Sequence, residues 1–234
     1  MGYHYAAQFS RRTRANVMGL VDHSTPEWEQ WYLKTHEYDS LRKMADAGYE
    51  LIEIHFLYGF GLQGERKEVE LTKKMTSNAH RAGLKVVGYF QFFSVQQELF
   101  FKENPWAAEC LQFKADGTRH QYDYDRPALC FSHERVRKYY LDGIELGLTY
   151  CNLDGIRLDN DYYRGCYCDK CQKLFRQHLH KKFTPDEAEK VFGIRDLRHI
   201  VMPPHQRGSD PAWLEMVKFR QEQRQQMMKL IKDK

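Results

Sequence analysis

Residues 154–161 read Asp-Gly-Ile-Arg-Leu-Asp-Asn-Asp, and they carry the strongest structural signal in the chain. Ile156 and Leu158 alternate with Arg157 and Asp159, which is the two-residue period of a β-strand. A parallel strand that is buried on both faces should be apolar throughout. Here one face of the strand carries an arginine and acidic residues towards its carboxyl end. Binding and catalytic sites form at the carboxyl ends of parallel strands. The stretch therefore predicts a parallel α/β fold with a polar site.

The rest of the chain alternates predicted helices with predicted strands. Strands are predicted over 16–21, 51–56, 84–90 and 154–159, and helices over about 69–81 and 133–148. The stretch over about 26–47 is predicted to be helical, either unbroken or with one break. Residues 94–132 are predicted to form a long loop. From residue 170 the pattern is mostly helical, with helices opening at Pro185 and Pro211 and without a further strand. This order predicts βαβ units and a parallel sheet.

Polar residues stand at or near the ends of all four predicted strands. Asp22 follows the first strand, Glu53 and His55 share one face of the second, and Gln91 ends the third. Because the carboxyl ends of parallel strands meet at one edge, these groups and Asp159 predict one site, of the carbohydrate type or another polar type. The alternative for the arginine and aspartate of the fourth strand is a purely structural ion pair.

The cysteines predict a metal site. Three of the six cysteines fall within six residues, at positions 166, 168 and 171. Thiolates this close together converge on one ion, and zinc prefers four of them in a tetrahedron. The spacing leaves Cys110, Cys130 and Cys151 open as the fourth ligand, and free thiols in a reducing compartment are the alternative. A zinc ion held by four thiolates would be structural.

Composition excludes several classes of protein. The chain has 234 residues and a formal net charge of +4, too weak and dispersed to indicate nucleic-acid binding. No apolar run is long enough to span a membrane. The N-terminus lacks a basic region followed by an apolar run, so we expect a cytoplasmic protein. Aromatic residues make up 14% of the chain, enough to line a sugar site as well as a core.

Three motifs together resemble one enzyme family. Cys130-Phe131-Ser132, residues 154–162 and residues 166–175 are similar to the zinc-containing β-galactosidases of glycoside hydrolase family forty-two, and more so to the glycosyl hydrolases related to them. The resemblance covers about residues 15–230. It implies a TIM barrel, a carbohydrate substrate and a structural zinc. The zinc ligands that it implies are Cys130, Cys166, Cys168 and Cys171.

The resemblance also implies catalytic roles. The family's general acid/base is a glutamate that follows an asparagine at the end of strand four; here Asn160 matches, and Asp161 stands in the position of the glutamate. Asp161 is therefore the expected acid/base, with Asp159 in support. An aspartate is one methylene shorter and moves the carboxyl by about one ångström. The predicted substrate-binding residues are Asp22, Glu53, His55, Gln91, Arg157, Asn160 and Tyr162.

A second resemblance assigns the same strand differently. Residues 155–159 are also similar to strand four of α-amylase-type hydrolases, in which the aspartate is the nucleophile. Asp159 would then attack the sugar, and Arg157 would keep its carboxyl ionised. The cysteine loop over 162–175 favours the first family. Its nucleophile, a glutamate on strand seven, has no counterpart in this chain.

The length predicts an incomplete barrel. Four strands are predicted within residues 1–161, whereas a TIM barrel has eight strands and about 250 residues. We therefore expect residues 1–234 to form a single (β/α) barrel-type catalytic domain that holds only the N-terminal half of the barrel, with a helical C-terminal extension. Open sheet edges predict a homo-oligomer or part of a longer chain. A non-hydrolysing carbohydrate-binding or structural relative is the alternative to a hydrolase, and a zinc-stabilised protein-binding or nucleic-acid-binding module is the third possibility.

Overall fold

The computed structural model of the chain describes residues 26–159, 165–205 and 208–234. Its centre is a parallel sheet of three strands in the order β1-β2-β5. The strands of this sheet are β1 (Leu51–Leu57), β2 (Lys85–Gln91) and β5 (Gly155–Asp159), and a separate hairpin consists of β3 (Gln121–Asp123) and β4 (Arg126–Pro127). The predicted strand over 16–21 lies outside the described residues.

Eight α-helices occur in the described part of the chain, and most of them follow the predicted order. They are α1 (Pro26–Thr35), α2 (Tyr38–Asp46), α3 (Arg66–Ala82), α4 (Gln97–Glu103), α5 (Glu134–Glu145), α6 (Asp169–Lys182), α7 (Pro185–Phe192) and α8 (Pro211–Lys232). A 3-10 turn covers Pro105–Cys110, and a π-helical turn over Leu146–Tyr150 extends α5.

The sheet has one apolar face and one polar face. Ile52, Ile54 and Phe56 of β1 are buried, as are Val86 and Phe90 of β2, and they pack in the main hydrophobic core with α3 and α5. The alternate residues of the same strands point to the other face, as the period of two requires. This arrangement leaves the polar residues of the strands together on the face away from the helices.

Helix α3 shows how local sequence produces this packing. Val69, Thr72, Met75, Thr76 and Ala79 are buried at helical spacing on one side of the helix. Gly83 ends the helix with a φ of 89°, and its N–H bonds back into the last turn. The left-handed conformation suits glycine, which has no Cβ, and it turns the chain directly into β2.

The helical stretch predicted over 26–47, in which one break is allowed, is two helices, α1 and α2, separated at His36 and Glu37. One sequence prediction needs correction. The long loop predicted over 94–132 is wrong in part, because it contains α4, the 3-10 turn and the β3–β4 hairpin. Helix α4 begins where the Gln96 side chain accepts a hydrogen bond from the N–H of Leu99, a capping role that Gln seldom takes.

The C-terminal extension has a second core. Helices α6, α7 and α8 pack around Phe175, Leu179, Met216 and Phe219, so the prediction of a helical region after residue 170 is confirmed for the described residues. No helix among the described residues is long and apolar enough to cross a membrane.

Glu215 ties α6 to α8 through an almost buried carboxylate. It accepts hydrogen bonds from Lys182 at 2.6 Å, Lys218 at 2.8 Å and the His178 Nε2 at 3.3 Å. Burial opposes the charged form, but these hydrogen bonds outweigh it and lower the pKa of Glu215 to about 2. The charged group therefore stabilises the fold above its unfolded pKa of about 4.3, and this contribution is lost as the pH falls towards 2.

We predict that Glu215→Gln lowers the free energy of unfolding at neutral pH by about 2 kcal/mol and flattens its decline between about pH 4.3 and 2. Urea unfolding at a series of pH values measures both effects. Glu222→Gln is the control, because Glu222 lies on the same helix and contacts His178 but is 56% exposed. Equal effects of the two substitutions would contradict this account.

Candidate functional site

The polar face of the sheet brings together side chains from all three strands. His55, Tyr89 and Arg157 are in register across β1, β2 and β5, and Gln91 is in register with Asp159 one step closer to the carboxyl ends. Since the strands are parallel, these residues form two successive rows on the same face. The rows end where sites are found in parallel α/β folds.

Arg157 bridges two carboxylates from different strands. Its Nη1 donates to Glu53 Oε1 at 2.7 Å, and its Nη2 donates to Asp159 Oδ1 at 3.0 Å. Burial opposes the charged guanidinium, but the hydrogen bond and charge of Glu53, followed by the charge of Asp159, outweigh it and raise the pKa of Arg157. The cation is therefore permanent, and it holds both carboxylates in fixed positions.

Tyr89 contacts the second oxygen of Asp159. The Tyr89 hydroxyl donates to Asp159 Oδ2 at 2.7 Å and lies 3.0 Å from Gln91 Oε1. Burial raises the pKa of the Tyr89 phenol, and the hydrogen bond to Asp159 raises it further. The hydroxyl therefore stays protonated and acts as a donor. Both oxygens of Asp159 are thus hydrogen-bonded, one to Arg157 and one to Tyr89.

An aromatic stack borders the polar rows. The ring of Tyr58 stacks on His55, with centroids 4.5 Å apart, and on Tyr89, with centroids 4.9 Å apart. The loop that carries Tyr58 is held by the buried carboxylate of Glu65, which accepts from the N–H of Tyr58 at 2.6 Å and of Phe60 at 2.9 Å. The stack gives the site one rigid apolar wall.

The structure brings together four of the predicted substrate-binding residues and Asp159, one of the two predicted catalytic residues. Glu53, His55, Gln91, Arg157 and Asp159 all lie on the polar face. Asp22, Asn160, Asp161 and Tyr162 lie outside the described residues, so the predicted acid/base and its neighbours have no observed geometry.

Sequence analysis missed Tyr89, Tyr58 and Glu65. The two-residue period of β2 places Tyr89 on the same face as Gln91, so that signal was present in the sequence. The roles of Tyr58 and Glu65 depend on a loop conformation that no periodic pattern predicts.

A second cluster contains four of the six cysteines. The sulfurs of Cys130, Cys166, Cys168 and Cys171 all lie within 4.8 Å of one another, and three of these residues are buried. Cys130 Sγ lies 3.5 Å from Cys171 Sγ and 3.9 Å from Cys168 Sγ. This group could hold a metal ion, and it contains the four residues that the family resemblance selected.

Hydrogen bonds within the cysteine group divide its thiols into two kinds. The backbone N–H groups of Phe113 and Cys168 donate to Cys166 Sγ at 3.4 Å and 3.3 Å. Hydrogen bonding with Cys130, followed by Cys166 and Cys171, lowers the pKa of the Cys168 thiol, whereas hydrogen bonding with Cys166, followed by Cys168 and Cys171, raises the pKa of Cys130. The group joins the connection between β2 and α5, which contributes Cys130 and Phe113, to the segment after β5.

The two remaining cysteines do not join this group. Cys151 is buried beside α3, where its thiol lies 3.5 Å from the carbonyl oxygen of Val69, and Cys110 is buried at the end of the 3-10 turn. All six cysteines are free of disulfide bonds. Of the three cysteines that the spacing left open, Cys130 is the one that lies together with Cys166, Cys168 and Cys171.

Comparison with known proteins relates the fold to glycoside hydrolases. No family model and no curated protein matches the sequence. A β-galactosidase from Bacillus circulans sp. alkalophilus superimposes with a TM-score of 0.63 at 18% identity, covering 88% of this chain and 33% of its own. The β-amylase catalytic domain from Paenibacillus polymyxa gives 0.54 at 14% identity, covering 83% of this chain and 57% of its own.

A third solved structure agrees with these two. α-L-Fucosidase isoenzyme 2 from Paenibacillus thiaminolyticus gives a TM-score of 0.51 at 15% identity, covering 83% of this chain and 27% of its own. The chain thus spans about a third of the length of the β-galactosidase that it matches. At these identities the similarity shows the fold alone: a parallel α/β arrangement that matches part of the barrel of glycoside hydrolases.

The hydrogen bond between Tyr89 and Asp159 can be tested for its contribution to stability. We predict that Tyr89→Phe lowers the free energy of unfolding by about 1–2 kcal/mol, because a half-buried carboxylate loses a donor. Tyr150→Phe is a matched control, since the Tyr150 hydroxyl bonds the exposed carboxylate of Glu70 at 2.8 Å. Its loss should cost less than about 0.5 kcal/mol. Urea unfolding compares the two, and equal losses would show that burial adds nothing at Asp159.

Proposed function

We propose that this chain binds glycosides on the polar sheet face and is the N-terminal part of a glycoside hydrolase barrel related to the zinc-containing β-galactosidases of family forty-two. The observation that carries the proposal is the array of Glu53, Arg157, Asp159 and Tyr89, which joins three strands near their carboxyl ends. In this proposal residues 1–234 are one incomplete catalytic domain. A longer chain or a second copy completes its barrel.

The array suits recognition of sugar hydroxyls. Asp159 is a fixed hydrogen-bond acceptor, Arg157 is a fixed donor, and the stack of Tyr58 on Tyr89 offers an apolar surface beside them. Sugar rings present hydroxyl groups at their edges and C–H groups on their faces, so a polar row next to an aromatic wall complements both. The remaining predicted residues, Asp22, Asn160 and Tyr162, are proposed to complete this contact surface.

The proposed division of roles gives proton transfer to Asp161. Asp161 follows β5 directly, and as the acid/base it would protonate the leaving oxygen of the glycoside. Asp159 would support it by holding the sugar and by keeping Arg157 in place. In the alternative role, as a nucleophile, Asp159 would attack through a remaining lone pair of one oxygen while Arg157 and Tyr89 hold the carboxylate in place.

We propose that the metal of the cysteine group is zinc in a structural role. Four sulfurs bound at about 2.3 Å to one zinc ion lie about 3.8 Å from each other in a tetrahedron. The observed separations of 3.5 Å and 3.9 Å bracket this value. A site saturated by Cys130, Cys166, Cys168 and Cys171 has no position for a reacting water, and the ion would tie the start of α6 to the connection that carries Cys130.

A non-hydrolysing carbohydrate-binding relative is the second candidate function. Two observations favour it: both oxygens of Asp159 are occupied by hydrogen bonds, and an aspartate stands at 161 where the family has a glutamate. Binding and turnover must therefore be measured separately.

The proposed function is tested with galactose binding by calorimetry and with turnover of nitrophenyl β-galactoside. We predict that Asp159→Asn weakens galactose binding by roughly tenfold or more, because a charged acceptor and its bond to Arg157 are lost. Asp196→Asn is the matched control, since Asp196 also pairs with an arginine two residues away but lies on the surface of the extension.

Asp161→Asn distinguishes the two candidate functions. If the chain is a hydrolase, this substitution abolishes turnover while galactose still binds. If the unaltered chain binds galactose without turnover, the non-hydrolysing alternative holds. Absence of galactose binding, or equal binding by the Asp159→Asn variant and the unaltered chain, would reject the proposed site.

The metal proposal predicts one zinc ion per chain in protein purified without chelator. Cys171→Ser should lose the metal and lower the melting temperature, because zinc binding contributes directly to folding. Cys151→Ser removes a buried thiol outside the group and should keep full zinc content. Elemental analysis measures the metal, and substoichiometric zinc in the unaltered chain would reject the site.

A further inference from the structure

The cysteine group has a second layer of contacts, and part of it comes from the C-terminal helix α8. The Arg220 guanidinium lies 4.7 Å from the centroid of the Tyr167 ring, and the Met216 sulfur lies 3.8 Å from the Tyr167 hydroxyl. Met216, Arg220 and Gln223 are spaced by four and three residues, so they lie on one side of the helix. This side of α8 is packed against the segment that carries the clustered cysteines.

The Gln223 side chain reaches the cysteine group through a serine. Its Nε2 donates to Ser132 Oγ at 2.9 Å, and Ser132 Oγ lies 3.2 Å from Cys171 Sγ. All three residues are buried. The two contacts join residues that are 91 and 39 positions apart in the sequence, so only the folded chain makes them.

The backbone around Ser132 holds its hydroxyl in place. The N–H of His133 donates to the Cys130 carbonyl oxygen at 3.1 Å, which closes a turn around the serine. Arg137 of α5 donates to the Ser132 carbonyl oxygen at 3.3 Å. The same short turn therefore carries Cys130 and presents the Ser132 hydroxyl to Cys171.

A metal-bound thiolate would fix the direction of both hydrogen bonds. A thiolate has no proton and can only accept, so Ser132 must be the donor to Cys171. The serine oxygen still has lone pairs, and an amide nitrogen can only donate, so Gln223 donates to Ser132. The series then runs in one direction, from the Gln223 amide through the Ser132 hydroxyl to the Cys171 sulfur.

Such a donor matters because the ligated group is negatively charged. One zinc ion with four thiolates leaves an excess of negative charge, and burial penalises a charge that lacks hydrogen-bond donors. Cys166 receives two backbone N–H groups, whereas the hydroxyl in contact with Cys171 belongs to a side chain. A single substitution can therefore remove the donor to Cys171.

We propose that Ser132 and Gln223 are positioning residues of the metal site: Ser132 donates a hydrogen bond to the metal-bound Cys171, and Gln223 orients the Ser132 hydroxyl. The inference rests on the metal part of the proposed function and extends it from the four cysteines to α8. It makes retention of the metal depend on how the C-terminal helix is docked. Glycoside binding at the polar sheet face is a separate proposal.

Competition with a chromophoric chelator measures the zinc affinity of the full chain. Ser132→Ala should weaken zinc binding about 10- to 100-fold, because Cys171 loses its donor. Gln223→Met should weaken it by a smaller factor, and Ser132→Ala/Gln223→Met should bind zinc no more weakly than Ser132→Ala, since Gln223 acts through Ser132. Gln226→Met, at an exposed position of the same helix, is the matched control and should keep the affinity of the unaltered chain.

Cobalt(II) in place of zinc gives a readout that a loss of packing alone would not move. A thiolate that loses a hydrogen bond gives up an electron more easily, so its sulfur-to-cobalt charge-transfer absorption should shift to longer wavelength. We expect this shift in Ser132→Ala and Gln223→Met and its absence in Gln226→Met, all at saturating cobalt with folding checked by circular dichroism. Should Ser132→Ala fail to fold, Gln223→Met decides by the same two measurements.

The outcomes separate this inference from the metal proposal. Zinc affinity and cobalt absorption that are unchanged in Ser132→Ala would overturn the roles of Ser132 and Gln223 and leave the metal site standing. A weaker affinity without the shift would reduce Ser132 to a packing residue, and additive losses in the double variant would show that Gln223 does not act through Ser132. If the unaltered chain binds neither zinc nor cobalt, the metal proposal and this inference both fail.

Discussion

The charge of Arg157 is the constraint on which the polar face of this sheet depends. A guanidinium on one face of a parallel sheet is tolerated because two carboxylates compensate its charge. Glu53 lies on the first strand of the described sheet, and Asp159 lies on the last. Removal of either carboxylate leaves a half-buried charge with fewer partners. The ion pair thus links the outer strands, which do not pair directly with each other, across the central strand β2.

The cysteine group imposes a second constraint, on the loops that surround this face. It connects the segment after β5 to Cys130 and Phe113 in the connection after β2. The same connection carries the β3–β4 hairpin, so the cysteine group ties this connection to the start of α6. A structural metal suits this position because Cys130 and Cys166 lie outside the helices and strands, where no regular backbone hydrogen bonding holds them together.

Much of this arrangement could be predicted from residues. The period of two in β5 correctly placed Arg157 and Asp159 on a polar face, and the crowded cysteines indicated a metal-binding group. The hairpin and Tyr58 could not be predicted, because their positions are set by contacts distant in sequence, such as Arg126 with Tyr58 and Val95 with Pro127. Tyr89 was missed for another reason: an aromatic in a strand is usually read as core.

Hydrogen bonding at Asp159 bears on how the proposed chemistry would be divided. Arg157 holds one oxygen of this carboxylate and Tyr89 holds the other, which fixes its orientation. Such a group is suited to hold a sugar by hydrogen bonds. Under the proposed function, β5 therefore supplies the carboxylate that holds the sugar, and proton transfer is assigned to Asp161, two positions further along the sequence.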